Sequence, residues 1–474
     1  MHMMNYDEAL SYIESIEKFG IDLGLDRMKE LMRRLGDPQD KLRYVHVAGT
    51  NGKGSTVAFI SNILMAAGYK TGIYISPSLD RFTKRIQVDG QEIDKEVLAQ
   101  LTQKVKDAAD SMAEDGLSVP TEFEQVNAIA FLYYEHEKCD FVVLEVGLGG
   151  RMDSTNVIKV PEVAVIASIS FDHMQYLGNT LPEIAGEKAG IMKEGGDVVV
   201  YDQAPEVMEV FKKVADERGC RLYVSGKPKD DKAVKYDLTG QDFIFELDNS
   251  KASGNRILYN DSPYVGNEID SDNKSDTFSD TFSNSGNKVS ESYHIRLLGE
   301  YQIKNASLAI TAALILQSKG FDQITDRAIK EGLSNTCWEG RFELLQDNPK
   351  VIVDGAHNPD GIKVLVSSLK RLFPDKKIVF IAGVLADKDY KSMMARIAPL
   401  GKIFHTITPP NSRALSAGDL ADTFKELGAD AVSHESVEEA LDAALREAME
   451  DDVICAFGSL YYIGEVRKLI LKEI

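Results

Sequence analysis

The stretch YVHVAGTNGKGSTVAFISNILMAAG, residues 44–68, constrains the fold more than any other part of the chain. A short run rich in β-branched residues ends at Gly49, a glycine-rich turn carries Lys53, and an apolar stretch of helical length closes at Gly68. Strand, loop and helix in that order set a helix N-terminus over a strand end, where glycines let backbone N–H groups converge on phosphate oxygens. Lys53 adds a point charge directed at the β- and γ-phosphates of a nucleotide. The pattern departs from the common GxxxxGK[ST] loop, because Gly54 separates Lys53 from the hydroxyls of Ser55 and Thr56. The competing reading is an ordinary strand-to-helix turn that happens to hold a lysine.

A nucleoside triphosphate requires Mg2+ held by hard oxygen ligands or an occasional imidazole. The apolar run FVVLEV ends by projecting Glu145 toward GLGGR, at a sheet edge that faces the same crevice as the loop. Two further strand ends supply donors, Ser76 in IYISPS and His173 in IASISFDH. Taken singly, a serine before proline is an ordinary turn former and a histidine after Asp172 an ordinary cap. At the exits of strands flanking one phosphate loop, the three form a candidate metal set.

Short β-branched runs alternate with longer amphipathic stretches from about residue 40 to 230, which implies a parallel sheet covered on both faces. Residues 249–292, rich in Asn, Ser, Asp and Gly, break that rhythm and read as a mobile surface excursion. A helical pattern resumes after Asn305, and beyond WEGRF a second alternation runs through VIVDGAH, KIVFIAGVL, KIFHTITPP and DDVICAFGSLYYI. The expected fold is α/β, a large parallel-sheet domain followed by a smaller one.

The chain has 474 residues, ample for two such domains. Its Lys and Arg number 54 against 75 Asp and Glu, a net charge of −21 that repels phosphate backbones and argues against a nucleic-acid partner. Cys139, Cys220, Cys337 and Cys455 are scattered without a CxxC pair, so they read as reduced thiols of a cytoplasmic protein. The acidic N-terminal stretch lacks the features of a secretory leader, and no run of about 18 apolar residues occurs.

In order along the chain, HVAGTNGKGST, ISPSLDRFTKRI, TEFEQVNAIAF, LEVGLGGRMDSTN, SFDHMQYLGNTLPEIAGEKAGI, GEYQIKNA, WEGRFELL and VDGAHNPDG resemble the folylpolyglutamate synthase and dihydrofolate synthase branch of the Mur ligase superfamily. The resemblance spans nearly the whole chain. It implies a P-loop parallel-sheet ATPase domain over residues 1–340, carrying the 249–292 excursion, and a smaller Rossmann-like α/β ligase domain over 342–474. The implied reaction is ATP-dependent amide ligation. A carboxylate of tetrahydrofolate, of its polyglutamates or of dihydropteroate attacks the γ-phosphorus, and the amine of L-glutamate then displaces phosphate from the acyl phosphate. Mg2+ is implied, with K+ as an activator; the partners are small molecules only, with no membrane and no nucleic acid, and the protein is expected to be a cytoplasmic monomer.

Carried over residue by residue, Thr50, Asn51, Gly52, Lys53, Gly54 and Ser55 cradle ATP, Asn305, Arg341 and Asp354 contact it, and Ser76, Glu145 and His173 match magnesium ligands. Lys188 in AGEKAGIMK matches a lysine that the family carbamylates so that it can ligate a second metal; a plain surface lysine is the alternative. His357 lies near the transferred phosphoryl group. For the pteridine end, Ile21 and Asp22, then Thr121, Glu122, Phe123 and Glu124, and Met152, Asp153 and Ser154 match positions that contact dihydropteroate in dual-function relatives. Core packing is the alternative role for Phe123. Ser459 and Tyr461 in FGSLYYI are candidates for the incoming glutamate. Two other functions compete: a ligase of cell-wall precursors, which TEFE and FGIDLGLDR fit less well, and a P-loop switch, for which no NKxD-like purine-reading element is evident.

Overall fold

The computed structural model describes residues 4–16, 23–229, 233–248 and 288–472. Strands β1 (Tyr44–Ala48), β2 (Thr71–Tyr74), β3 (Ile86–Val88), β4 (Gln91–Glu92), β5 (Phe141–Glu145), β6 (Val163–Ile166), β7 (Asp197–Val200) and β8 (Arg221–Val224) form one sheet. Their spatial order is β4, β3, β2, β5, β1, β6, β7, β8, with β3 and β4 antiparallel and the others parallel. The central strands are buried on both faces, as their unbroken apolar runs require. Val45 and Val47 point into one core with Phe59 and Ile310, and Tyr44 points into the other with Leu31 and Phe131. The chain passes from β1 outward to β2 on one side and later to β6 on the other, so the strand order reverses at β1. The crevice that such a reversal opens lies at the carboxyl ends of the strands.

The helix Lys53–Ala66 leaves β1 and packs under the helices Glu300–Ser318 and Asp326–Asn335. Glu300–Ser318 is buried from Ala306 to Leu316 on every side, because a second, antiparallel sheet covers the face turned away from the main sheet. That sheet comprises β9 (Lys227–Pro228), β10 (Lys235–Asp237), β11 (Gly240–Asp248) and β12 (Lys288–Ile295), with Phe243, Phe245, Tyr293 and Ile295 in the shared core. Its presence corrects the sequence reading, which assigns residues up to 292 to the excursion. Residues 288–292 open β12 and pair with β11. In KVSESYHI the core-facing side chains are Tyr293 and Ile295, and the preceding polar residues carry no apolar signal. Residues 249–287 lie outside the described residues.

A third sheet is built from β13 (Glu343–Asp347), β14 (Lys350–Asp354), β15 (Ile378–Ala382), β16 (Gly401–Thr406), β17 (Ala431–Ser433) and β18 (Val453–Phe457), in the order β13, β14, β18, β15, β16, β17. All pairings are parallel except β13 with β14. The architecture is thus the α/β class that the alternation predicts, and the carboxyl ends of β14, β18 and β15 face those of the main sheet across a cleft.

Close packing of helix on helix sets one test of this arrangement. A Cβ on Gly332 would fall 2.5 Å from the Cα of Ile63 and 2.6 Å from its nitrogen, backbone atoms that no rotamer change can move. Alanine gains up to about 1 kcal/mol of helix propensity over glycine, whereas overpacking of this kind costs about 1–3 kcal/mol. Gly332→Ala is therefore expected to lower the thermal midpoint, and a rise in a calorimetric scan would contradict the packing described.

Candidate active site

The floor of the cleft is the loop between β1 and the helix Lys53–Ala66. Gly49 approaches β6 so closely that a Cβ would sit 2.8 Å from that of Ala167, and Gly52 caps the helix at φ 85, beside the Asn305 side chain. Thr50 is pinned by its N–H to the Ser168 carbonyl at 2.6 Å and by its hydroxyl to the Ser170 carbonyl at 3.1 Å. Lys53 Nζ lies 3.2 Å from the Gly49 carbonyl and 3.3 Å from that of Thr50. Ser55 Oγ accepts from Gln302, whose own amide oxygen accepts from Asn305. The helix is held from behind while its first N–H groups face the cleft.

The acids and bases come from the neighbouring strand ends. Glu145 ends β5 and is buried, with the Ser76 N–H 3.3 Å from its carboxylate. Burial raises its pKa above the ordinary value, against the pull of Lys53 and Arg341. His173 follows β6; burial pushes its imidazole down to about 4, outweighing the Asp172 carboxylate beside it. A neutral imidazole, a serine hydroxyl and a carboxylate short of donors are the chemistry a hard divalent cation binds, so Ser76, Glu145 and His173, all lining one cleft, fit such an ion. Lys188 ends the helix Leu181–Lys188 buried, not on the surface, with Nζ donating to the Gly49 carbonyl at 3.0 Å. Burial and the nearby Lys53 lower its pKa to about 7.

The opposite wall belongs to the C-terminal sheet. Asp354 ends β14, and its carboxylate accepts the N–H of Phe342 and of Ala356, each at 2.8 Å, so it fixes the first residues of the C-terminal sheet. Arg341 Nη1 lies against Gly355, where a Cβ would come within 2.1 Å. His357 is fixed through Nδ1 to the Gly355 carbonyl at 2.7 Å and turns Nε2 toward Asp172, 3.8 Å away. Asp172 is where the walls meet. Lys388 donates to it at 2.6 Å, Asn358 reaches it at 3.4 Å, and Asn358 also donates to Asn51 of the phosphate loop at 2.9 Å. Burial alone would raise the Asp172 pKa, but His173 and Lys388 hold it well below the usual carboxylate range.

The structure thus gathers Thr50 to Ser55, Ser76, Glu145, His173, Lys188, Asn305, Arg341, Asp354 and His357 around one cleft of about 410 Å³. Other expected residues are not part of its lining. Thr121 and Glu124 form a capping box, Glu122 pairs with Arg85, Glu124 with Arg27, Asp153 caps a short turn through Thr155, and Ser154 accepts from Asn127. The Phe123 ring packs directly against Gly147, which lines the cleft, and Met152 is exposed. Ser459 is buried as the cap of the helix Leu460–Leu471 and Tyr461 is exposed, while Leu460 between them lines the cleft. Ile21 and Asp22 lie outside the described residues. Sequence reasoning missed Asp172 as a contact point, Asn358 and Lys388. The signal for Lys388 was a lone lysine between acids just past the buried strand β15.

This geometry matches known proteins along the whole chain. The Mur ligase middle domain matches residues 47–313 and the Mur ligase glutamate ligase domain matches residues 340–460. The dihydrofolate synthase/folylpolyglutamate synthase of Bacillus subtilis is 36% identical over 471 residues, 98% of each chain. The chain belongs to the folylpolyglutamate and dihydrofolate synthase branch of the Mur ligase family. The folylpolyglutamate synthase of Lacticaseibacillus casei is 32% identical over 99% of each chain. Among solved structures, Escherichia coli FolC in complex with DHPP and ADP superposes with a TM-score of 0.79 at 28% identity, covering 98% of this chain and 97% of that one. The family accounts for the pairing of a phosphate-loop sheet with a second α/β domain. Among the described residues no helix is long and apolar enough to cross a membrane.

Lys188 supplies a pH test. The folded protein releases its proton near pH 7, whereas an unfolded chain holds it to about 10.5, so burial penalises folding in acid and the penalty fades as pH rises between those values. Lys188→Met removes the penalty. It is expected to raise stability toward urea more at pH 6 than at pH 9, by a difference on the order of 2 kcal/mol. Equal gains at both pH values would show that the amine is not buried as described.

Proposed function

We propose that this chain is an ATP-dependent ligase that joins L-glutamate by a γ-linked amide to the carboxylate of a reduced folate, and that it also accepts dihydropteroate. The observation that carries this reading is the single cleft in which a phosphate-binding helix N-terminus, a buried acid set and the ends of a second α/β sheet face one another. The names and bound ligands of the relatives support it: a folylpolyglutamate synthase has been solved with AMPPCP and folate, and the E. coli protein with DHPP and ADP.

In this reading the ATP phosphates rest on the N–H groups at the start of the helix Lys53–Ala66, and Asn305 holds the loop from behind. Lys53 and Arg341 stand on either side of the γ-phosphate, where charge develops as it moves. The folate carboxylate attacks the γ-phosphorus, ADP leaves, and an acyl phosphate forms. The glutamate amine then attacks the acyl carbon, the amide C–N bond forms, phosphate departs, and the amine loses a proton. Ser76, Glu145 and His173 would hold Mg2+, which when bound supplies positive charge to offset the phosphates. The lowered pKa of Lys188 favours the neutral amine, the form that adds CO2 to give a carbamate and a released proton. Lys388 and His357 present cationic and hydrogen-bonding groups from the C-terminal domain, the side from which the amine would arrive.

The test is direct. Purified protein with ATP, Mg2+ and L-glutamate, offered tetrahydrofolate or dihydropteroate, is expected to yield products heavier by one or more glutamyl residues and to release ADP only when both acceptor and glutamate are present. Lys53→Ala is expected to cut kcat/KM by about 100- to 1000-fold, the usual loss for one preorganised transition-state contact, with an unchanged melting profile. ADP release without added acceptor would favour a nucleotide switch, and near-parental turnover of the Lys53 variant would remove the loop from the chemistry.

A further inference from the structure

One residue of the interdomain segment is not used by this mechanism. Trp338, the only tryptophan of the chain, lies half-buried against the main core and lines a second cavity of about 320 Å³ that shares Ser76, Glu145 and Arg341 with the reaction cleft. Its indole sits on Gly54, so that a Cβ there would come within 3.1 Å of Nε1 and 3.3 Å of Cζ2. That contact gives a physical reason for the odd glycine in GKGST, since a side chain after Lys53 would press on the indole and push it back by a few tenths of an ångström. The residues after Trp338 tie the same segment to both domains. Glu339 accepts from Lys84 at 2.5 Å on the main domain and from Arg467 at 3.2 Å on the C-terminal one, the Gly340 carbonyl accepts the Gly355 N–H at 2.8 Å, and Arg341 lines the cleft.

We propose that Trp338 is a positioning residue for the nucleotide: seated on Gly54, its indole holds the phosphate loop in register and ties the loop to the arrangement of the two domains. The inference rests on the nucleotide reading given above. Hydrogen bonds from the loop to phosphate weaken steeply with angle, so a loop free to drift beneath a missing indole loses alignment although every phosphate contact remains in the sequence. A shift of the C-terminal domain, carried through Arg467 and Glu339, moves the indole against Gly54, and loop occupancy in turn biases the domains.

The lone tryptophan makes the test optical. ADP, which occupies the loop without completing the reaction, is titrated while emission is recorded beside calorimetric binding. The expected result is a saturable emission change that follows the calorimetric isotherm. Trp338→Phe is expected to keep the KM for ATP within about threefold, whereas Trp338→Ala raises it about tenfold or more and leaves the KM for folate unmoved. Gly54→Ala is expected to weaken ADP binding in the parent and to do so by a clearly smaller factor in the Trp338→Ala background, or in Trp338→Leu should the alanine variant not fold, because the indole it presses on is gone. ADP binding with silent emission, or an equal Gly54→Ala factor in both backgrounds, overturns the inference while leaving the nucleotide reading intact. Absence of any calorimetric ADP binding overturns the nucleotide reading itself.

Discussion

The site depends on one helix N-terminus that is packed on every side but the cleft. The helix Lys53–Ala66 is enclosed by the main sheet on one side and by the helices Glu300–Ser318 and Asp326–Asn335 on the other, with the small antiparallel sheet closing the shell. Its burial is indifferent to direction around the axis, so it has no polar face on which to slide or roll. The four leading N–H groups of a helix lack intrahelical partners, and here those at the start of Lys53–Ala66 open onto the cleft while glycines keep side chains out of the way. The strand ends that surround this point, from β2 and β5 on one side of β1 and from β6 on the other, are near neighbours in the sheet, which is why residues as distant in sequence as Ser76, Glu145 and His173 come to line one space.

Electrostatics around that point run against the charge of the whole molecule. A chain of net charge −21 collects Lys53, Lys188, Arg341 and Lys388 on one cleft or its rim. Each is placed where burial strengthens its field, and burial is also what limits it: Lys188 is driven toward neutrality, whereas Lys388 keeps its charge partner in Asp172 at 2.6 Å. Glu145 sits with a single backbone donor at 3.3 Å, an anion left under-compensated where a cation is wanted.

How much of this could be read from the chain itself follows from the range of each signal. The phosphate loop is local, since strand, glycines, lysine and helix lie within 25 consecutive residues, and its reading carries directly into the structure. Glu145 was legible because an apolar strand that ends in a charge is a local contradiction. Asp172 was not, because its meaning comes from Lys388 and Asn358, 216 and 186 residues away, and only the docking of two sheets brings them together. Thr121 and Glu124 illustrate a local signal with a second meaning. Their three-residue spacing is the mark of a capping box, and the capping box is what the structure shows. The strand β12 was hidden because its apolar half begins only at Tyr293, after five residues indistinguishable from the loop before them.

The way the two domains meet bears on how such a cleft could work. Across it run Asn51 to Asn358, Asp172 to Lys388, and Lys84 through Glu339 to Arg467, joined by the close approach of the Leu79 backbone to Gly464. Ion pairs of this kind gain Coulomb energy but lose hydration of both partners, and the two effects largely cancel. Such pairs therefore add little net free energy in favour of the closed arrangement over a slightly opened one. A ligand shifts such a balance only by binding one arrangement better than the other. The cleft offers that difference, because the phosphate loop and Glu145 belong to one domain while His357 and Lys388 belong to the other, with Arg341 at the junction between them, and a molecule touching both sets gains full contact only when the domains are together.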